Sequence, residues 1–90
     1  MSKSASMKDL PPPPQPQFSG IVEMFASQAI AAMGKLPQEN SEPRLDYAKY
    51  FIDLLTVLQE KSKSNLSTDE TTFIDNTLYY LRMMYVEVNK

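Results

Sequence analysis

The sequence predicts an all-α domain of three helices, near residues 19–33, 43–62 and 68–88, with the last two folded as an antiparallel hairpin. Three observations predict it. Apolar residues recur at spacings of three and four through all three segments. A Ser-x-x-Glu signal stands immediately before the third segment. Gly34, Pro37 and Asn65 fall between segments, where helix breakers belong.

Residues 1–17 read as a disordered tail and residues 18–90 as a single domain. The tail holds Pro11, Pro12, Pro13, Pro14 and Pro16. Proline fixes φ and removes a backbone donor, so this stretch is excluded from helix and favours extended polyproline II. Such a segment serves either as a ligand for a proline-recognising groove or as a stiff spacer. With no flanking Arg or Lys to set an orientation, the spacer is favoured.

In the first helix Ser19 is the expected N-cap and Gly34 the left-handed residue that ends it. Phe18, Ile21, Val22, Met24, Phe25, Ala26, Ala29, Ile30 and Met33 cover most of its circumference, leaving Glu23, Ser27 and Gln28 as a polar strip. A helix apolar nearly all round is expected between others. A membrane-surface helix would carry Lys or Arg on its polar face, and this one has neither.

The second helix is expected to open near Pro43, a residue suited to a first turn. Its polar stripe is Asp46, Lys49, Asp53, Thr56, Glu60 and Lys63. Two apolar seams lie on the other side: Ala48, Ile52 and Leu55, and next to them Tyr47, Phe51, Leu54 and Leu58. Two adjacent seams imply more than one neighbour. Asn65 is expected to end the helix in a left-handed conformation. Ser67 and Glu70 then form a capping box, with Asp69 adding charge suited to a helix N-terminus. The short connection makes the second and third helices antiparallel. In the third, Ile74, Leu78, Leu81, Tyr85 and Val88 form one seam and Phe73, Thr77, Tyr80 and Met84 another. The hairpin register sets Leu55 against Leu78, Phe51 against Leu81 and Ala48 against Tyr85. It also sets Arg82 opposite Lys49, within reach of Asp46 or Asp53, so a structural ion pair is expected there.

A chain of 90 residues with a 17-residue tail leaves little core. Small domains are commonly reinforced by disulfides, a metal or a partner subunit. There is no Cys and no His, so disulfides and Cys/His zinc sites are excluded. Homo-oligomerisation remains, and the excess of apolar helix surface points the same way. Candidate interface residues are Phe25, Ile30, Met33, Tyr47, Tyr80, Arg82 and Met84, chosen because aromatic, Met and Arg side chains are enriched where proteins meet.

Chemistry finds little support. The commonest general base and the best nucleophile are both missing. Gly20 and Gly34 are the only glycines, too few for a phosphate-binding loop. Asp46, Asp53 and Glu60 share one helix face, but Lys49 and Lys63 lie among them at ion-pairing spacing, the pattern of a solvated face. No catalytic, cofactor or metal site is expected. A net charge of −2 gives no reason to bind nucleic acid. No apolar run reaches the length of a membrane span, and the N-terminus lacks the apolar stretch of a secretory signal. A cytoplasmic protein is expected.

Leu45-Asp46-Tyr47-Ala48, Ile52-Asp53-Leu54-Leu55, the run Leu58 to Ser67 and the closing Leu78 to Val86 resemble a small bacterial family, domain of unknown function 1844. Phe18 through Gly34 is similar to it as well. Ser62 and Ser64 stand where that family often has threonine and glycine. The resemblance implies a helical architecture and a bacterial origin and carries no catalytic residue across. The expected function is therefore a non-enzymatic interaction protein that self-associates through the first helix and the outer seams of the second and third. Its alternatives are an adaptor holding a partner helix or peptide in an apolar groove, and, more remotely, a carrier of an apolar small ligand.

Overall fold

A computed structural model describes residues 10–35 and 42–90, and shows three helices with no strand among them. They are α1 (Phe18–Ala32), α2 (Leu45–Ser62) and α3 (Thr68–Val88), with a 3-10 turn at Lys63–Asn65 between the last two. Residues 10–17 are irregular and exposed, and residues 1–9 of the expected tail lie outside the described residues. Most of the loop expected between the first two helices, residues 36–41, also lies outside them.

The start of α1 differs from expectation. Gln17 occupies the N-cap position without a side-chain cap, and Ser19 lies inside the first turn. The helix begins earlier because Phe18, half-buried, is drawn against the core, and covering part of an aromatic ring is comparable to the roughly 1 kcal/mol of a capping hydroxyl. The other end agrees. Gly34 has φ of 76°, its N–H donates to Ala31, and the Lys35 N–H reaches back to Ile30. This is the paired hydrogen-bond pattern that closes a helix on a left-handed residue.

Pro43 is not in the first turn of α2. Arg44 holds the N-cap position and the helix starts at Leu45. Pro43 is used instead to close the first corner. A Cβ placed on Gly34 would come within 3.1 Å of the Pro43 Cγ, and the Arg44 N–H donates to the Ala32 carbonyl at 2.7 Å. The proline therefore seats the start of α2 against the end of α1 and makes the two antiparallel.

The second corner also departs from expectation. The chain passes through the 3-10 turn and an extended Leu66, so Asn65 closes a tight helical turn rather than a left-handed cap. Leu66 tucks against the core, which anchors the corner without glycine-like geometry. The capping box is present in both directions: the Ser67 hydroxyl accepts from the Glu70 N–H at 3.1 Å, and the Glu70 carboxylate accepts from the Ser67 N–H at 2.9 Å.

Every helix contacts both others. Nine residues form the buried core, three from each segment: Val22, Ala29 and Met33; Ala48, Ile52 and Leu55; Ile74, Leu78 and Leu81. The seam Ala48, Ile52 and Leu55 is thus used whole, and of the α3 seam Ile74, Leu78 and Leu81 are buried while Tyr85 and Val88 are half-buried. No polar or charged residue is buried among the described residues. The small side chains of Ala29 and Ala48, both fully buried, suit a close approach of α1 and α2. Phe25 meets Phe51 with ring centroids 6.5 Å apart. Two polar contacts tie α2 to α3: Gln59 donates to Asp75 at 2.6 Å and Arg82 donates to Thr56 at 2.9 Å.

Truncating the central Leu55 to Ala is expected to cost about 2–5 kcal/mol, and urea unfolding followed by circular dichroism measures it. The two glycines should respond with opposite signs. At Gly20 an added Cβ meets nothing within 4 Å, so Gly20→Ala should stabilise by about 0.4–1 kcal/mol. Gly34→Ala combines positive φ with the Pro43 contact and should destabilise by at least about 1–2 kcal/mol.

Candidate functional site

The charged side chains are at the surface and are largely satisfied locally. Lys49 donates to Asp53 at 2.9 Å, one turn along α2. Arg44 grips Asp46 through Nε and Nη2 at 3.2 and 3.0 Å and lies 4.7 Å from the centre of the Tyr47 ring. The hydrogen bond to Asp46 raises the Arg44 pKa, and the same bond lowers that of Asp46. Hydrogen bonding to Asp53 raises the Lys49 pKa. The carboxylates at 46 and 53, which share a helix face, are thus engaged with their own neighbours. No cluster of three or more acidic side chains with metal-holding geometry occurs among the described residues.

The ion pair expected at Arg82 does not form. Arg82 does line one small groove with Lys49, Asp53 and Tyr85, as the hairpin register requires. Its guanidinium nevertheless turns to the Thr56 hydroxyl. Both expected acceptors are occupied by closer partners, Asp46 by Arg44 and Asp53 by Lys49. A cation on the same or adjacent helical turn reaches a carboxylate with less loss of side-chain freedom than one across the hairpin.

What distinguishes the surface is apolar. The second seam of α2 divides: Phe51 and Leu58 pack against the core, whereas Tyr47 is exposed and Leu54 only half covered. With Tyr50 and Val57, also more than half exposed, they complete an outer stripe at 47, 50, 54 and 57. That 3-4-3 spacing makes it a second apolar seam along the helix. Ile21 and Met24, on the edge of α1 that carries Phe25, are exposed too. Pro14 and Pro16 line a shallow groove with these two residues.

A second apolar face lies on α3. Tyr79, Met83 and Val86 are 59%, 56% and 62% exposed. They line a groove of about 590 Å³ with Gln59, Asp75, Arg82, Glu87 and Lys90. Residues 79, 83 and 86 point away from the core residues 74, 78 and 81, so the face is independent of the fold's own packing.

The candidate interface residues fall into three groups. Tyr47, Tyr80 and Arg82 are exposed. Phe25, Ile30 and Met84 are half-buried and pack on the core. Met33 is 2% exposed and belongs to the core, because it continues the helical face of Val22 and Ala29 at a spacing of four. Tyr50, Tyr79 and Met83, part of the aromatic and Met-rich surface that the composition of the hairpin also marks, are exposed on these faces, and Val57 and Val86, which the sequence did not single out, are exposed beside them. Their signal was present in the spacing, but the outer stripes could be separated from the inner ones only once the inner ones were placed.

The architecture is that of a small all-α domain with a wholly apolar interior and two uncovered apolar helix faces. The family model described as domain of unknown function, DUF1844, matches residues 15–87, and the chain belongs to that family. Comparison with curated proteins and with solved structures gave no match.

The pH response should reflect the local pairs. Asp46 has a lowered folded-state pKa, so its contribution is present above the unfolded carboxylate pKa and is lost as pH falls through the folded value. Lys49 has a raised one, so its contribution is present below the unfolded lysine pKa and is lost as pH rises through the folded value. With no histidine in the chain, thermal melts should be nearly flat between roughly pH 5 and 9 and fall on either side.

Proposed function

We propose that this chain is a non-enzymatic interaction protein that works by self-association. One observation carries the reading. The three helices close a complete core within one chain, yet Tyr47, Tyr50, Val57, Tyr79, Tyr80, Met83 and Val86 are each half exposed or more on α2 and α3. Scattered exposed apolar residues are ordinary, but stripes at helical spacing rimmed by charge are the signature of a contact surface. The sequence has no histidine or cysteine, and Asp46 and Asp53 are held by their own neighbours, which favours a binding role over acid–base catalysis. A bacterial, cytoplasmic setting fits the cysteine-free composition. No helix among the described residues is long and apolar enough to cross a membrane.

An adaptor role is the second reading. The 3-4-3 stripe of Tyr47, Tyr50, Leu54 and Val57 supports it, since it has the spacing by which one amphipathic helix receives another. The grooves described above open to solvent, which suits a peptide better than an enclosed small apolar ligand.

Sedimentation velocity of the full chain across about 1–100 µM tests self-association. A concentration-dependent shift to dimer or higher is expected. A monomer throughout that range would overturn it.

A further inference from the structure

We infer that the outer face of α3 is a two-fold interface on which a second copy of this chain docks its own α3 antiparallel, centred between Arg82 and Met83. The inference rests on the self-association reading and names the surface, the partner and the register. A two-fold contact is self-complementary: if residue i meets residue j of the second copy, then j meets i. Every two-fold register meets this condition, and one of them also places opposite charges at both ends of the face. Centring the pair between positions 82 and 83 sets Tyr79 against Val86 of the second copy, and Arg82 against Met83 of the second copy. The same register brings Asp75 to the end of α3 of the second copy, where Lys90 follows two residues beyond Val88, so opposite charges close both ends. All six residues line the one groove.

The charges suit the pairing. Asp75, Arg82, Glu87 and Lys90 are two acids and two bases, so two copies of the face bring no net repulsion together. Within one chain Lys90 makes only an exposed contact with Glu87 at 3.5 Å. Asp75 holds Gln59 through a single oxygen. Both can therefore take a new partner at little cost. In this register Arg82 lies about one helical turn from Glu87 of the second copy, within reach of its long side chain.

Tyr79, Met83 and Val86 form an exposed apolar strip along the face. The apolar centre and charged border also match the usual anatomy of such interfaces.

The chain has no cysteine, so single-cysteine variants of the full chain report the geometry cleanly. Met83→Cys sits beside the proposed axis, where antiparallel helices bring equivalent residues within disulfide reach. Mild oxidation should convert most of it to a covalent dimer. Tyr50→Cys and Val57→Cys, equally exposed but on α2, should remain mostly uncoupled. In sedimentation equilibrium, Asp75→Lys should weaken the dimer about three- to tenfold, because each pair occurs twice. Adding Lys90→Glu should restore it. Dimer by sedimentation with coupling at position 50 or 57, or at none of the three sites, would overturn the α3 pairing while leaving self-association standing. Coupling at position 83 without charge rescue would overturn the register. A wild-type monomer throughout the concentration range would remove both.

Discussion

The fold depends on α1 docking onto the α2/α3 hairpin within the same chain. A two-helix hairpin alone would leave Ala48, Ile52, Leu55, Ile74, Leu78 and Leu81 without a third wall. The side chains of Val22, Ala29 and Met33 supply it. Their entry is set by a single corner, where Gly34 takes a backbone conformation other residues resist and Pro43 lies against it. With only three fully buried residues from each segment, the core has no redundancy, and each large member carries a substantial share of a small domain's stability.

Because that docking occurs in cis, it decides which apolar residues remain outside. Phe25, Phe51, Leu58 and Leu66 become the partly covered border of the core. Tyr47, Tyr50 and Val57 on α2, and Tyr79, Met83 and Val86 on α3, do not. The two faces differ in character. The α2 stripe is aromatic and has few charges among its apolar residues, with Arg44 stacked at one end. The α3 face has acids and bases at its rim and a groove along its length. A charged border contributes orientation more than affinity, which is why the α3 face can specify a register and the α2 stripe is suited to a less specific contact.

The polar chemistry of the molecule serves the surface. Among the described residues no side-chain polar atom is buried without a partner, and the ion pairs are exposed and short-range in sequence. Exposed pairs of this kind contribute little to stability.

Periodicity by itself determined the three helices, the core seams of α2 and α3, the capping box at Ser67 and Glu70 and the left-handed end at Gly34. Each is a local property, set by hydrogen-bonding capacity and by the 3.6-residue repeat; the capping box and the Gly34 end are present as read, the helices with their ends shifted, and the buried seams as Ala48, Ile52 and Leu55 and as Ile74, Leu78 and Leu81. Tertiary structure decided the rest. Ser19 lost its capping role because Phe18 is drawn against the core. Pro43 was taken from the first turn of α2 to close a corner with Gly34, a contact nine residues apart in sequence. Arg82 was denied its carboxylate because nearer cations already held Asp46 and Asp53. Met33 went inside and Tyr50, Val57, Tyr79, Met83 and Val86 stayed out for one reason: a side chain's exposure depends on which neighbour reaches its face first, and spacing along one helix does not encode that.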